Sequence, residues 1–297
     1  MEGLFCTIAI CTRNRAAMLP GAIRSAIEQR PAPEAFEVLV VDNGSTDTTA
    51  LVLAEQVRRY LALRVVIEPR VGLSAARNRA LQEARGDAVV FVDDDGRLCP
   101  GYVETLYHYW KAERPACLGG PIELAYLDKP PSWWRPEHEF LRGRVDYGDR
   151  PCSLHFPAYP FGCNIAFSRA TALELGGFNE RLGSGARGPQ AGEETELCAR
   201  LERRGRTILY HPGLRVVHEV TLAGIRRARI LATVFSSGRS FFWVARAYHG
   251  DQASAKLLKR MLWYSMAGLR HQRLTDATRF FYAAGATYEA WRSLRRT

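Results

Sequence analysis

Three consecutive carboxylates, Asp93 to Asp95, directly follow an apolar run, Val89-Val90-Phe91-Val92, that is typical of a buried strand. Adjacent negative charges repel one another, so a fold that places them at a strand end needs a cation or hydroxyl groups to face them. The simpler interpretation is an acidic strand-to-helix turn in which Asp95 only caps a helix. A second pair of acids, Glu193 and Glu194, stands just before an amphipathic stretch.

The first hundred residues alternate strand and helix signals, which predicts a parallel sheet with helices on both faces. The predicted strands are Leu4–Cys11, Phe36–Val41, Leu63–Ile67 and Asp87–Val92, and the predicted helices are Ala16–Gln29, a segment from Thr46 or Asp47 to about Tyr60, and Ser74–Ala84. Ligands of such sheets lie at the carboxyl ends of the strands. We therefore expect Thr12, Asp42 and Asp93 to lie at one edge.

Composition places the chain among globular proteins, since 297 residues with 47% hydrophobic content can bury one large core. The seven cysteines are scattered and contain no CxxC pair, so neither a zinc site nor a disulfide framework is indicated. The first 15 residues carry an acid where a signal peptide would be basic. The apolar run Ile230–Ala245 is interrupted by Ser, Gly and Arg and falls short of the roughly 18 residues of a spanning helix. A cytoplasmic location is expected.

The net charge of +10 is concentrated in the last quarter of the chain. Val220–Thr297 contains 14 Lys and Arg residues against three acids, whereas Met1–Glu219 is nearly neutral. Such a segment suggests an anionic partner, and charge alone leaves phospholipid, nucleic acid and a merely solvated basic face open. Aromatic residues between positions 235 and 243 stand close to arginines, which suits a helix at a membrane surface. Packing on the core and formation of a homodimer are the alternatives.

The motifs in their order resemble family-2 glycosyltransferases with the GT-A fold. The quoted stretches are "CTRNR", "VVDNGSTDTT", "GLSAARNRAL", "VFVDDDG", "PFGCNIAFSRATALELGGFNERLG", "GEETELCARLERRG" and "ILYHPGLRVVHEV". The resemblance covers about Leu4 to Val220 and implies a Rossmann-like, mostly parallel α/β sheet in a catalytic domain at 1–220. Segment 126–160, rich in Pro and aromatic residues, is interpreted as an insertion on the acceptor side. Residues 221–297 form a basic helical extension.

The resemblance implies an inverting transferase that uses a nucleotide-sugar, with a UDP-sugar favoured, and a divalent ion, Mn or Mg. Asp95 is then the metal ligand, and His218 resembles the histidine that supplies a second ligand, although a histidine at a strand end is often structural. The residues assigned to the nucleotide are Thr12, Asp42, Arg77, Asp93 and Asp94. An ion held there would stabilise the charge of the leaving diphosphate.

The general base is expected in the stretch "GSGARGPQAGEETELCARL", whose glycines at 183, 185, 188 and 192 are typical of a mobile loop beside a site. The resemblance assigns the base to Glu194, which stands where family enzymes have the second acid of a Gly-Glu-Asp triplet. Glu193 is the neighbouring catalytic candidate, with a stabilising role at a helix N-terminus as its alternative. Asn164, Trp133 and Trp134 are assigned to donor or acceptor sugar, and packing against the core is the alternative for the tryptophans.

The acceptor is expected to be a saccharide, a lipid-linked saccharide or a small molecule. The alternative function is a nucleotide-sugar-binding or nucleotidyl-transferring protein on a related sheet, but "CTRNRAAM" lacks the glycine that a phosphate loop would need there. Nucleic acid is not expected as a partner, because the basic tail contains no recognition motif. A peripheral position on the inner membrane face is compatible with the tail.

Overall fold

The computed structural model describes residues 6–29, 36–185, 191–249 and 274–294. The strands are β1 (Cys6–Thr12), β2 (Phe36–Asp42), β3 (Leu63–Ile67), β4 (Ala88–Asp93), β5 (Gly96–Leu98), β6 (Cys117–Gly119), β7 (Ile122–Tyr126), β8 (Cys152–Ser153), β9 (Ile165–Ser168), β10 (Ile208–Tyr210) and β11 (Val216–Val220). The α-helices are α1 (Leu19–Ile27), α2 (Thr49–Arg59), α3 (Leu73–Glu83), α4 (Tyr102–Glu113), α5 (Arg169–Glu174), α6 (Glu193–Arg203), α7 (Arg227–His249) and α8 (Leu274–Leu294). Short 3₁₀ helices lie at Pro136–Arg142 and Leu222–Ile225.

The main sheet has eight strands in the order β3-β2-β1-β4-β9-β6-β10-β8. The strands β1 to β4 are mutually parallel, and β9 runs antiparallel between β4 and β6. Because β1 lies between β2 and β4, Thr12 is the register partner of Asp42, and Cys11 is that of Asp93. The carboxyl ends of these strands therefore meet at one edge, as the sequence predicts.

Helices cover both faces of this sheet, which explains why β2 is buried along its whole length. Alternate residues of β1 enter opposite cores: Ile8 and Ile10 pack with α1 and α4, whereas Ala9 packs with α3 and α6. The predicted α/β sheet with helices on both faces, followed by a helical C-terminal segment, is confirmed.

The element boundaries differ from the sequence predictions by a few residues. Helix α3 begins at Leu73 after Gly72, whose φ is 150°, and Ser74 does not cap it but donates its hydroxyl to the Leu182 carbonyl. Helix α1 begins at Leu19 rather than at Ala16, with a proline in its first turn. The first residues of the predicted strand at Leu4 lie outside the described ranges.

A second, three-stranded sheet in the order β5-β11-β7 crosses the edge where β4 ends. Strand β11 is antiparallel to β5, with His218 opposite Gly96, and the Glu219 amide donates to the Asp95 carbonyl at 2.8 Å. This pairing fixes a histidine beside the last of the three aspartates.

Segment 126–160 joins both sheets rather than standing apart from them. It contains the 3₁₀ helix Pro136–Arg142 and strand β8, which extends the main sheet at β10. Val145 forms a bridge with Ile122 of β7.

The C-terminal segment packs on helix α6 and on itself. Helices α7 and α8 approach closely at two glycines, since a Cβ on Gly238 would lie 1.9 Å from the Tyr282 carbonyl oxygen. A Cβ on Gly285 would likewise lie 2.0 Å from the Phe235 carbonyl oxygen. Helix α7 also packs on α6. Residues 250–273 and 295–297 of the predicted extension lie outside the described ranges, and no described helix has the length and apolar content needed to cross a membrane.

Candidate functional site

The three aspartates at the end of β4 differ sharply in exposure. The Asp93 side chain is 39% exposed, whereas Asp94 and Asp95 are buried. The Thr12 hydroxyl donates to Asp94 Oδ2 at 2.8 Å. Burial raises the pKa of Asp94 to about 7, even though the charge of Arg15 acts in the opposite direction.

Arg15 is the cation that faces the two buried aspartates. Its Nε lies 3.2 Å from Asp94 Oδ1, and its Nη2 lies 2.9 Å from Asp95 Oδ2. The Arg15 side chain is 40% exposed. Sequence reasoning did not select Arg15, although it is the last residue of the quoted "CTRNR" stretch. The available signal was that β1 and β4 are neighbours in such sheets, so that a cation after β1 can reach acids after β4.

His218 reaches Asp95 from the second sheet. Its Nε2 lies 3.3 Å from Asp95 Oδ1, and its Nδ1 donates to the Arg142 backbone carbonyl at 2.9 Å. Burial alone would lower the pKa of His218, but the hydrogen bond and the charge of Asp95 outweigh burial and raise it. The pKa of Asp95 is lowered, because His218 and Arg15 outweigh the opposing effect of its burial.

Asp95 and His218 fit the requirements of a divalent ion. An Asp95 carboxylate oxygen and the His218 Nε2 nitrogen lie close together here. The hydrogen bond from His218 Nδ1 to the Arg142 carbonyl orients Nε2 toward the aspartate, as in many metal sites. Within the described ranges, no group of three or more His, Cys, Asp or Glu side chains could hold a metal. Two protein ligands suit an ion whose remaining positions are filled by phosphate oxygens and water.

Arg77 lies at the centre of a second charged cluster. It is buried, and its Nη1 contacts Glu193 Oε1 at 2.7 Å while its Nη2 lies 3.4 Å from Asp93 Oδ1. Glu194 Oε2 lies 3.9 Å from Nη1. Burial alone would lower the pKa of Arg77, but the charges of Glu193 and Asp93 raise it. Arg77 thus connects the aspartate edge to the start of α6.

The two glutamates at the start of α6 have different environments. Glu193 is 3% exposed and forms the short ion pair with Arg77, while its second oxygen, Oε2, is buried without a hydrogen-bond partner. Glu194 has a side chain that is 12% exposed, and its contact with Arg77 is the longer one, at 3.9 Å. Burial, and then the charge of Glu193, raises the pKa of Glu194 to about 8. Once deprotonated, Glu194 can therefore accept a proton and retain it at neutral pH, whereas Glu193 forms an ion pair with Arg77.

The residues that were predicted to bind the nucleotide have different surroundings in the structure. Asp42 is buried at the end of β2, where its Oδ1 accepts a hydrogen bond from the Ser45 amide at 3.0 Å, and it lies beside Thr12 in register. Arg77 lies with the glutamates instead. Of the loop glycines, Gly183, Gly185 and Gly192 have positive φ, and Gly188 lies outside the described ranges.

The structure places Asn164 in the interior and not in an open site, which corrects the sequence prediction of a sugar contact. Its side chain is completely buried, and Oδ1 accepts from the Tyr102 hydroxyl at 2.8 Å. Its Nδ2 donates to the carbonyls of Pro121 at 3.0 Å and Leu214 at 2.7 Å. With every polar atom used, Asn164 holds segments together.

The two tryptophans of the insertion pack toward the C-terminal segment. Trp134 is buried, and its Nε1 donates to the Tyr126 hydroxyl at 2.7 Å. Trp133 is half-buried beneath the guanidinium of Arg227, whose Cζ lies 5.1 Å from the ring centroid. Their packing against this segment corresponds to the structural alternative for these residues.

Comparison with known proteins identifies a glycosyltransferase family and several relatives. A family profile described as Glycosyl transferase family 2 matches residues 7–172. The chain is 29% identical over 154 residues to glucosyl-dolichyl phosphate glucuronosyltransferase of Haloferax volcanii, with 50% of this chain and 48% of the relative covered. It is 33% identical over 229 residues to validoxylamine A glucosyltransferase of Streptomyces hygroscopicus subsp. limoneus, with 67% of this chain and 48% of the relative covered. The chain thus spans about half the length of these relatives.

The fold is also found among solved structures. The mannosyltransferase PcManGT from Pyrobaculum calidifontis, in complex with GDP-Man and Mn²⁺, aligns with 100% of this chain and 75% of its own, with a TM-score of 0.59. At 17% sequence identity this likeness concerns the fold alone.

Proposed function

The chain belongs to glycosyl transferase family 2, and from that premise we propose that it transfers a sugar from a nucleotide-sugar to an acceptor hydroxyl with inversion. The observation that carries the proposal is the position of Arg77, which contacts Asp93 on one side and Glu193 on the other, with Glu194 adjacent. One buried cation thereby links Asp93, which we assign to the nucleotide-sugar, to Glu194, which we assign to proton transfer.

On the donor side, we propose that Thr12, Asp42 and Asp93 face the nucleoside, with a UDP-sugar favoured. Asp95 and His218 would hold the divalent ion, Mn or Mg, and an ion bound there would neutralise charge on the leaving diphosphate. The imidazole ligand favours Mn. The neighbour PcManGT is described with GDP-Man and Mn²⁺, so a nucleotide-sugar and a divalent ion are compatible with this fold.

On the acceptor side, Glu194 acts as general base. It takes the proton of the acceptor hydroxyl while that oxygen bonds to the anomeric carbon, and the carbon–oxygen bond to the diphosphate breaks with its electron pair on the diphosphate. Attack on the face opposite the leaving group inverts the anomeric centre. The raised pKa of Glu194, caused by burial and then by Glu193, suits a group that must hold this proton at neutral pH.

The acceptor class is a saccharide, a lipid-linked saccharide or a small molecule, and we favour a lipid-linked one at a cytoplasmic membrane face. The Haloferax relative is named for a dolichyl phosphate compound. Arg226, Arg227 and Arg229 are exposed beside Leu222, which is 44% exposed. Each basic residue near an anionic leaflet contributes about 1 kcal/mol. Flotation of the protein with anionic but not with neutral liposomes would support this placement. The absence of flotation with anionic liposomes at low salt would refute it.

A donor screen tests the activity itself. We expect one of the UDP-, GDP- or dTDP-sugars to bind and to be hydrolysed slowly in the presence of Mn, and to be transferred when an acceptor is supplied. Binding without hydrolysis or transfer by any donor would instead support the alternative of a nucleotide-sugar-binding protein.

A further inference from the structure

Arg142 lies directly beside the Asp95–His218 pair, at the end of the 3₁₀ helix Pro136–Arg142. Its backbone carbonyl accepts the His218 Nδ1 hydrogen bond. Its guanidinium lies against the C-terminal segment, because a Cβ on Gly224 would be 3.4 Å from Arg142 Nη2. The side chain is therefore held between the insertion and the C-terminal segment, next to the predicted metal ligands.

The Arg142 guanidinium has no anionic partner among the described residues. Its Nε is buried and makes no hydrogen bond. A buried donor without a partner costs free energy, and in native structures such groups commonly face a ligand or an ion. Arg15 makes a useful contrast, since it is more exposed yet contacts both Asp94 and Asp95.

The charges that act on Arg142 include two other arginines as well as Asp95 and Asp93. Burial lowers its pKa, and the nearby charges of Arg229 and Arg15 lower it further, whereas Asp95 acts in the opposite direction. The three guanidiniums come from the loop after β1, from the insertion and from the first turn of α7, which packs on the 3₁₀ helix. This convergence of positive charge, beside ligands for a cation, suits a polyanion rather than a neutral sugar.

We propose that Arg142 binds the diphosphate of the donor and remains bound to the leaving nucleoside diphosphate as the bond to the sugar breaks. The inference rests on the proposed function, since it identifies the group that receives the electron pair in that reaction. The planar guanidinium can donate two parallel hydrogen bonds to phosphate oxygens. Because negative charge grows on the diphosphate during transfer, this contact strengthens in the transition state.

The test compares Arg142→Gln with Arg144→Gln in the full chain. Arg144 is a matched control, since it is half exposed and pairs with Glu139 at 2.6 Å. Calorimetry in the presence of Mn measures UDP and GDP against UMP and GMP. For Arg142→Gln we expect roughly a 10- to 100-fold loss of affinity for the diphosphate that the parent binds, and unchanged affinity for the matching monophosphate. Arg144→Gln should bind both nucleotides as the parent does.

Two results would overturn the inference while leaving the proposed function intact. In the first, Arg142→Gln binds the diphosphate as tightly as the parent; in the second, it loses monophosphate and diphosphate equally, as a structural role predicts. A parent that binds neither diphosphate would instead overturn the proposed function. If Arg142→Gln does not fold, Arg142→Lys serves, because it keeps the charge but loses the two-pronged contact and should show a smaller loss confined to the diphosphate.

Discussion

Two adjacent acid pairs lie in this site, and each is faced by one arginine, but the arginines differ in their access to water. The Asp94–Asp95 pair is met by Arg15, whose side chain is 40% exposed. The Glu193–Glu194 pair is met by Arg77, whose side chain is 3% exposed. Both sites thus combine one arginine with two acids, but the arginine is partly exposed in one site and buried in the other.

An exposed cation is screened by water and can exchange for another cation at small cost. A buried cation cannot leave without stranding the acids that it neutralises. We infer that Arg15 is a replaceable partner at the edge where we propose that a metal and a diphosphate bind. Arg77, in contrast, is a permanent part of the framework that sets the properties of Glu194.

The largest expected effect comes from removing the predicted metal ligand at the replaceable edge. Asp95→Ala should abolish transfer, because the leaving diphosphate would lose the ion that neutralises its charge. Nucleoside diphosphate binding should weaken mainly when divalent ion is present. Calorimetry of UDP and GDP with and without Mn measures this, and equal metal dependence in variant and parent would contradict the assignment of Asp95.

The next effect separates the two arginines by stability. Arg77→Met leaves Glu193 buried without its cation and should lower the free energy of unfolding by about 3–5 kcal/mol. Arg15→Met, a matched change at the more exposed cation, should cost less than Arg77→Met, because water screens an arginine side chain that is 40% exposed. Urea unfolding of both variants makes the comparison. Similar losses in the two would show that exposure does not distinguish these cations.

This contrast was only partly accessible from the sequence. The strand and helix pattern places Thr12, Asp42 and Asp93 at one edge, because strand ends are read from local signals and the carboxyl ends of parallel strands share one edge of a sheet. Arg15 was missed because its contact depends on the adjacency of β1 and β4, not on any spacing along the chain.

Other residues show the limits of motif reading. Asn164 stands in one of the motifs that carry the family resemblance, yet its side chain is used entirely inside the core, a distinction that composition does not reveal. Arg142 lies in an insertion without regular periodicity, and tertiary contacts with His218 and with the C-terminal segment determine its position. In both residues the tertiary contacts, not the residue type, decide the environment.

In the cluster of Arg77, Glu193 and Glu194, the proposed base can be removed without removing the cation. Glu194→Gln should lower turnover by roughly 100-fold or more while donor affinity stays nearly unchanged, since the base acts on the acceptor proton. Glu193→Gln should instead lower stability, because Arg77 loses its 2.7 Å partner. Steady-state kinetics and thermal unfolding of both variants separate these outcomes. An active Glu194→Gln with an inactive but stable Glu193→Gln would exchange the two roles.

The smallest expected effect is the pH dependence of the parent enzyme, and it tests whether the buried cluster sets the base. Burial and then the charge of Glu193 raise the pKa of Glu194 to about 8, and the base must be deprotonated to act. Measured kcat/KM should therefore rise about tenfold per pH unit below that value and level off above it.

The variants Glu194→Gln and Glu193→Gln identify the group responsible for this inflection. Glu194→Gln should lose it. Glu193→Gln should move it to lower pH, because a negative charge that disfavours ionisation of Glu194 has been removed. Asp94 owes its raised pKa of about 7 to burial and to the charge of Asp95, which together outweigh the opposing charge of Arg15, and not to Glu193. An inflection that stays in place in Glu193→Gln would therefore assign the titration to the replaceable edge and remove Glu194 as the base.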